Sequence, residues 1–428
     1  VTSLLIRDAL IVPGTPDGAP PFTGWLRVEG RTIAGLGPDQ PPEPEADRVV
    51  DGHEHALLPG LINAHAHSHS SLTRGSAEGL PLEDWLRLLE AEQKRLTEEE
   101  AHVAALATYC ELLLGGTTTV VDMCLHPGAA LRAAAETGIR AVVAPYVADG
   151  KSFTPTLEAT ERLLTAGGGG GETRRVWVGL HDLESCSDGQ IAAGAALAAR
   201  SGSGLHLHCA ETAGSVERTR RRTGHTPVAH LKALGALGPR TLLAHCVFVD
   251  EADRGLLAAA GAHVAHCPHA NLKLGSGVAP VPELLAAGVN VTLGTDGAKA
   301  NNGLDLFEVM KLASLLHKGT RRDPALLPPA EVLALATRNG AQALAVPAGA
   351  LAVGLRADLT LVRLDRFHLQ PATPETILTN LVHAARASDV DTVLVDGRIV
   401  VERGAVRSVD AEAIRRRAAE IGRSLLQP

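Results

Sequence analysis

Eight short β-type apolar runs recur from residue 57 onward, each followed by a longer segment whose apolar residues return at helical spacing. They span 57–62, 117–123, 141–147, 176–181, 204–208, 241–245, 262–266 and 289–295. Strand alternating with helix predicts repeated βα units on a parallel sheet. Eight such units predict an α/β fold closed as a TIM-type (β/α)8 barrel, with its active site where the strands end. The flanks lack this rhythm. Segments 4–12, 24–36, 358–363 and 392–401 read as short strands joined by turn residues such as Asp396-Gly397, and predict a small β-sandwich built from both termini. The expected organisation is a discontinuous sandwich, 1–56 with 350–428, around a barrel at 57–349.

At 428 residues and 45% apolar content the chain is large enough for both units. Lys and Arg number 40 against 48 Asp and Glu, for a formal charge of −8, and no basic block is long enough to follow a phosphate backbone. Nucleic acid is therefore not expected as a partner. No stretch reaches the roughly 18 apolar residues of a membrane span, and residues 1–13 alternate like a strand rather than like a secretion signal. The six cysteines form no CxxC pair, which suits a reducing cytoplasm. The glycine run 167–171 lacks the lysine and the strand-to-helix setting of a phosphate loop, and is read as a connector without a ligand role.

His65-Ala66-His67 closes the first run, so two imidazoles lie on one side of a strand end. Further runs end in His206-Leu207-His208, in Ala244-His245 and in Gly294-Thr295-Asp296. Barrel geometry brings these side chains to one mouth. Neutral imidazoles with one carboxylate suit zinc, or iron or manganese, with a position left open for water. Bound zinc lowers the pKa of such a water to about 7.

The motifs HAHSHSSLTRG (65–75), HCAET (208–212), AHC (244–246), HCPHANLKLGSG (266–277) and LGTDGAKANNGLDLF (293–307) resemble those of the nucleoside and aromatic-base deaminase branch of the amidohydrolase superfamily. The resemblance implies one divalent metal, zinc first with Fe2+ or Mn2+ as alternatives, held by His65, His67, His208 and Asp296. It implies that Glu211 is the proton-shuttling acid/base and that His245 lies beside the attacking water. Asp296 then also acts in catalysis by accepting the first proton from that water. His206 is expected to turn away from His208 and to serve packing or hydrogen bonding, and His266 to play a supporting part.

The same resemblance implies ribose contacts from Glu83, substrate packing by Trp85 and a purine contact from His181, although the neighbours of His181 depart from the family pattern. It also implies a small-molecule heterocyclic substrate, water as co-substrate and a homo-oligomer. The arginines that bind an amino-acid carboxylate in related enzymes have no match around 144–156, with no Arg before Arg162. The expected activity is hydrolytic release of ammonia from an aminated heterocycle, most simply a 6-aminopurine nucleoside. The alternatives are hydrolysis of another heterocyclic C–N or C–Cl bond, as in triazines, and a non-catalytic scaffold.

Overall fold

A computed structural model describes residues 3–41, 45–167 and 173–427. Positions 168–171 of the glycine run lie outside them.

The N-terminal strands are β1 (Ser3–Ile11), β2 (Phe22–Glu29), β3 (Thr32–Gly37), β4 (Arg48–Asp51) and β5 (His55–Pro59). Next come β6 (Leu61–Ala66), β7 (Thr117–Cys124), β8 (Arg140–Pro145) and β9 (Arg174–Val176), which form a four-stranded sheet in that order, parallel throughout. A five-stranded parallel sheet follows, made of β10 (Val178–Gly179), β11 (Leu205–Cys209), β12 (Thr241–His245), β13 (His263–His266) and β14 (Asn290–Leu293). A parallel bridge pairs Val147 with Leu180, and Asp296 N donates to His65 O at 2.9 Å.

The chain ends supply β15 (Leu359–Arg363), β16 (Val390–Val395), β17 (Arg398–Glu402) and β18 (Ala405–Val406). These join the N-terminal strands in one nine-stranded sheet, in which β15 pairs antiparallel with β5. Strands from the two ends of the described chain thus share one sheet.

Two of the expected runs are divided. Run 57–62 breaks at Gly60: Leu57–Pro59 belong to the terminal sheet, while Leu61 begins the parallel one. Gly60 N donates to Asp358 O, and a Cβ at this position would sit 2.2 Å from Thr118, so only glycine permits the crossing. Run 176–181 is split at Trp177 between the two parallel sheets. The C-terminal segment is also not purely β. Its helix Ala411–Leu425 buries Ile421 and Leu425 against Leu72, Leu96 and Ala104.

Strand alternation sorts the core. In β11, Leu205 and Leu207 face the main apolar core beside Leu243 and Val264, and His206 and His208 share the other face. Among the described residues no helix is long and apolar enough to cross a membrane.

One buried ion cluster ties the parallel strands to the terminal sheet. Arg140 of β8 forms a bidentate pair with Asp358 at 2.9 and 3.1 Å and reaches Asp396 at 2.5 Å. Arg140 and Asp358 are each 2% exposed. Removing one partner strands the other charges in a dry interior, at about 3–5 kcal/mol. Arg140→Ala should lower unfolding stability by that amount, read as an earlier urea midpoint. A loss under about 1 kcal/mol would show that the cluster holds nothing together.

Candidate active site

The imidazoles at the strand ends are oriented by their outer nitrogens. His67 Nδ1 lies 2.7 Å from Met123 O, His208 Nδ1 2.7 Å from His181 O, and His245 Nδ1 2.8 Å from Asn271 Oδ1. A carbonyl oxygen only accepts, so each Nδ1 donates and each neutral ring keeps its lone pair on Nε2. His206 extends the logic by one step. Its Nδ1 donates to Leu242 O at 2.9 Å, so its Nε2 accepts from His65 Nδ1 at 2.8 Å, which leaves a lone pair on His65 Nε2 as well.

These lone pairs converge. His67 Nε2 and His208 Nε2 are 3.2 Å apart, and Asp296 Oδ1 is 3.4 Å from His67 Nε2 and 3.6 Å from His65 Nε2. Among the described residues, the candidate ligand atoms of His65, His208 and His245 lie within 4.8 Å of one another, as do those of His65, His67 and Asp296. Buried His65 Nε2 has no hydrogen-bond partner. Facing lone pairs repel, and an orphaned buried nitrogen is costly, unless a cation lies between them. The donor set therefore fits a divalent metal.

At His65, His206 and His208 burial favours the neutral ring, the form that ligation requires. It lowers His65 to about 4 and holds His206 and His208 well below the usual histidine range. Burial would by itself raise Asp296, but His65, His67 and His245 hold it below the normal carboxylate range.

Two of these residues sit in the left-handed backbone region, His245 at φ 73° and Asp296 at φ 62°. That conformation costs a non-glycine roughly 1–2 kcal/mol, and such strain is typical where a side chain must be re-aimed at a site. Support comes from Asn63, whose Nδ2 donates to Thr295 Oγ1 at 2.7 Å and whose Oδ1 accepts from Thr295 N at 3.0 Å. This pair locks the end of β6 to the end of β14, and so fixes His65 relative to Asp296.

Glu211 lines the same cavity as His67, His208, His245 and Asp296. Its carboxyl is raised above the ordinary value by burial. Its Oε2 is 3.8 Å from His245 Nε2, and its Oε1 is 3.5 Å from Ser276 Oγ. His181 and Tyr146 stack with centroids 4.3 Å apart on another wall. Ser185 Oγ, which donates to Asp182, lies 2.8 Å from His181 Nδ1. Trp85 lines the cavity and is 6% exposed, packed with Leu89 and Leu274, and its indole Nε1 is buried without a partner. Glu83 stands at the mouth.

Every site residue named from the sequence therefore lies in one constellation. The orientation expected of His206 is wrong. Residues two apart on a strand share a face, so His206 lies below His208 and braces His65. His266 is not part of the cavity lining, and its ring centroid lies 5.6 Å from that of His317 in the helix Leu306–Arg321. Sequence reasoning also passed over Asn271, Ser276, Tyr146 and Arg218. Ser276 and Asn271 fall inside the quoted HCPHANLKLGSG motif, but nothing in a motif names the side chain that each will touch. Arg218, a cavity-lining arginine, comes from the helix Ala213–Thr223 rather than from the third βα segment.

The Amidohydrolase family model matches residues 56–400. The chain is 41% identical over 418 residues to a 5-methylthioadenosine/S-adenosylhomocysteine deaminase of Moorella thermoacetica, covering 96% of this chain and 97% of that protein. It is 38% identical over 397 residues to a 5′-deoxyadenosine deaminase of Methanothermobacter thermautotrophicus, covering 91% and 92%. A crystal structure of an adenosine deaminase from Xanthomonas campestris with bound zinc superposes with a TM-score of 0.92 at 28% identity, covering 99% of this chain and 98% of that one. With the motifs, the converging ligand set and these matches in agreement, the chain belongs to the amidohydrolase family.

Proposed function

We propose that this enzyme is a hydrolytic deaminase releasing ammonia from a 6-aminopurine nucleoside, with one zinc ion, or Fe2+ or Mn2+, held by His65, His67, His208 and Asp296. The observation that carries the reading is Glu211: a buried carboxyl with raised proton affinity, facing His245 beside the converging Nε2 atoms. An amino group leaves poorly until it is protonated and can depart as ammonia, so deamination needs such a residue.

When bound, the metal supplies a more acidic water and electrostatic stabilisation. The carboxylate oxygen of Asp296 not taken by Gly297 N accepts the first proton of the attacking water. Glu211 gives its proton to the ring nitrogen beside the aminated carbon, takes up the second proton of the attacking water and passes that one to the departing nitrogen; the proton held by Asp296 then restores the Glu211 carboxyl. His245 Nε2, with its lone pair free, accepts a hydrogen bond from the attacking water and orients it. His181 and Trp85 hold the heterocycle, and Glu83 accepts from the ribose hydroxyls. The balance is water plus a ring C–NH2 giving a ring carbonyl and ammonia.

We further propose that the two parallel sheets close as a TIM-type barrel, and that the terminal sheet folds over as a sandwich; because Leu57–Pro59 pair with β15, the expected boundary at 56/57 moves to Gly60, giving 61–349 for the barrel and 1–59 with 350–428 for the sandwich. The Val147–Leu180 bridge and the hydrogen bond from Asp296 N to His65 O support closure. On the same reading the enzyme works in the cytoplasm as a homo-oligomer; its six unpaired cysteines agree with a reducing compartment.

A neutral or small 5′ substituent should be preferred. Segment 144–156 has no arginine, and Arg218 is already paired with Glu83 and Glu184. The test is kcat/KM for ammonia release from adenosine, 5′-deoxyadenosine, methylthioadenosine, S-adenosylhomocysteine and free bases. One of the first three should exceed S-adenosylhomocysteine by about 10-fold or more, since a missing charged contact costs about 1.5–3 kcal/mol. S-adenosylhomocysteine as the best substrate would overturn the 5′ reading. Reaction of free bases alone would overturn the role of Glu83, and no ammonia from any of them would overturn deamination of purines.

A further inference from the structure

Three segments meet at the cavity mouth through one guanidinium. Arg218, in the second turn of the helix Ala213–Thr223, engages both oxygens of Glu184, with Nη2 3.0 Å from Oε2 and Nε on Oε1. Its remaining nitrogen, Nη1, lies 2.7 Å from Glu83 Oε1. Glu83 stands in the first turn of the helix Leu82–Gln93, and Glu184 in the loop after β10. All three residues line the cavity that holds Glu211 and His181.

Simple stabilisation does not account for the arrangement. Arg218 and Glu83 side chains are 49% and 60% exposed, and ion pairs so wet contribute about 0–1 kcal/mol. Geometry is what a forked pair supplies. The two-point grip on Glu184 fixes the guanidinium plane, and the single contact through Oε1 orients the Glu83 carboxylate, whose Oε2 has no hydrogen-bond or ion-pair partner among the described residues. Arg218 already faces two carboxylates, which offset its charge, so it is poorly placed as a carboxylate or phosphate receptor.

The far end of the same helix is held differently. Lys299, fully buried, pairs with Glu92 at 2.6 Å, Thr73 Oγ1 donates to Glu92 Oε2 at 2.7 Å, and Gln93 Nε2 lies 3.0 Å from His69 Nε2. The helix is thus anchored by buried polar groups at its C-terminal end. At its N-terminal end, where Glu83 and Trp85 reach the cavity, Arg218 ties Glu83 to the neighbouring helix.

We propose that Arg218 is a positioning residue for Glu83, and that the Glu184–Arg218–Glu83 chain sets selectivity for substrates carrying a vicinal diol. The inference rests on the reading of Glu83 as the ribose contact. Arg218 aims Glu83 Oε2 at the hydroxyls and does not itself touch the reacting atoms.

The test compares adenosine with 2′,3′-dideoxyadenosine, which differ only in the diol, across wild type, Arg218→Ala, Arg218→Lys and Glu83→Gln. Arg218→Ala should raise the adenosine KM about 10-fold, the effect of roughly one charge-assisted hydrogen bond, with kcat within about 2-fold. The KM ratio between dideoxyadenosine and adenosine should fall accordingly, and Arg218→Lys should restore part of it. An equal rise for both nucleosides, or no change in either, would overturn the proposal, as would a defect confined to S-adenosylhomocysteine, which would make Arg218 an anion receptor. Glu83→Gln separates the two layers. If it leaves the ratio intact, the ribose reading fails and the proposal with it. If it collapses the ratio while Arg218→Ala does not, the role of Arg218 alone is refuted.

Discussion

Glu211→Gln is expected to keep the fold and the bound metal and to lose about 10²–10⁴-fold in kcat for ammonia release, the usual contribution of a general acid–base. That range corresponds to about 3–5 kcal/mol of transition-state stabilisation. The substitution preserves shape and can still accept from Ser276 Oγ, but an amide cannot carry a proton between water, ring nitrogen and leaving amine. The loss should fall on kcat rather than on KM, because Glu211 is assigned to the chemical step and not to holding the nucleoside. Activity within about tenfold of wild type would remove Glu211 from the mechanism and shift proton transfer to His245 or Asp296.

His67→Ala should behave differently, losing metal and turnover together. His67 Nε2 is 3.2 Å from His208 Nε2 and 3.4 Å from Asp296 Oδ1, and its ring is locked by Nδ1 donating to Met123 O. Losing an outer hydrogen-bond partner of a ligand typically weakens metal affinity by about 10–100-fold. Losing a ligand should cost at least that much. Relief of the lone-pair repulsion at the centre should leave the apoprotein's urea midpoint no lower than that of metal-stripped wild type. A variant that is fully active while metal-free would contradict the ligand assignment.

Much of the site could be read from the sequence because strand ends are local. The pairs His65/His67 and His206/His208, the HCAET segment and the Thr295-Asp296 step each sit within a few residues of a strand terminus, and strand direction alone gathers them. What could not be read is how distant segments meet. Nothing local assigns Leu57–Pro59 to the terminal sheet rather than to the parallel one; the partner strand β15 lies some 300 residues later, and the crossing depends on the tight approach of Gly60 to Thr118.

His206 is a different kind of failure. The two-residue period was available, but its application put the ring on the wrong face and hid the support of His65. Arg218 has no signal in the third βα segment, where related enzymes carry their arginines; it reaches the mouth from the helix after β11, a meeting that only the tertiary fold creates. The helix Ala411–Leu425 reads as a charged amphipathic segment, and its docking against Leu72 and Leu96 is a tertiary fact with no local signature.

The central claim is that one cation at the converging imidazoles, worked by Glu211, deaminates the substrate. Elemental analysis of wild type, His67→Ala and Glu211→Gln, each assayed in parallel for ammonia release from adenosine or methylthioadenosine, tests it most directly. The account predicts about one divalent metal per chain with full activity in wild type, close to none with no activity in His67→Ala, and about one with near-abolished activity in Glu211→Gln. Two equivalents required for full wild-type activity, or turnover that survives without metal, would contradict it.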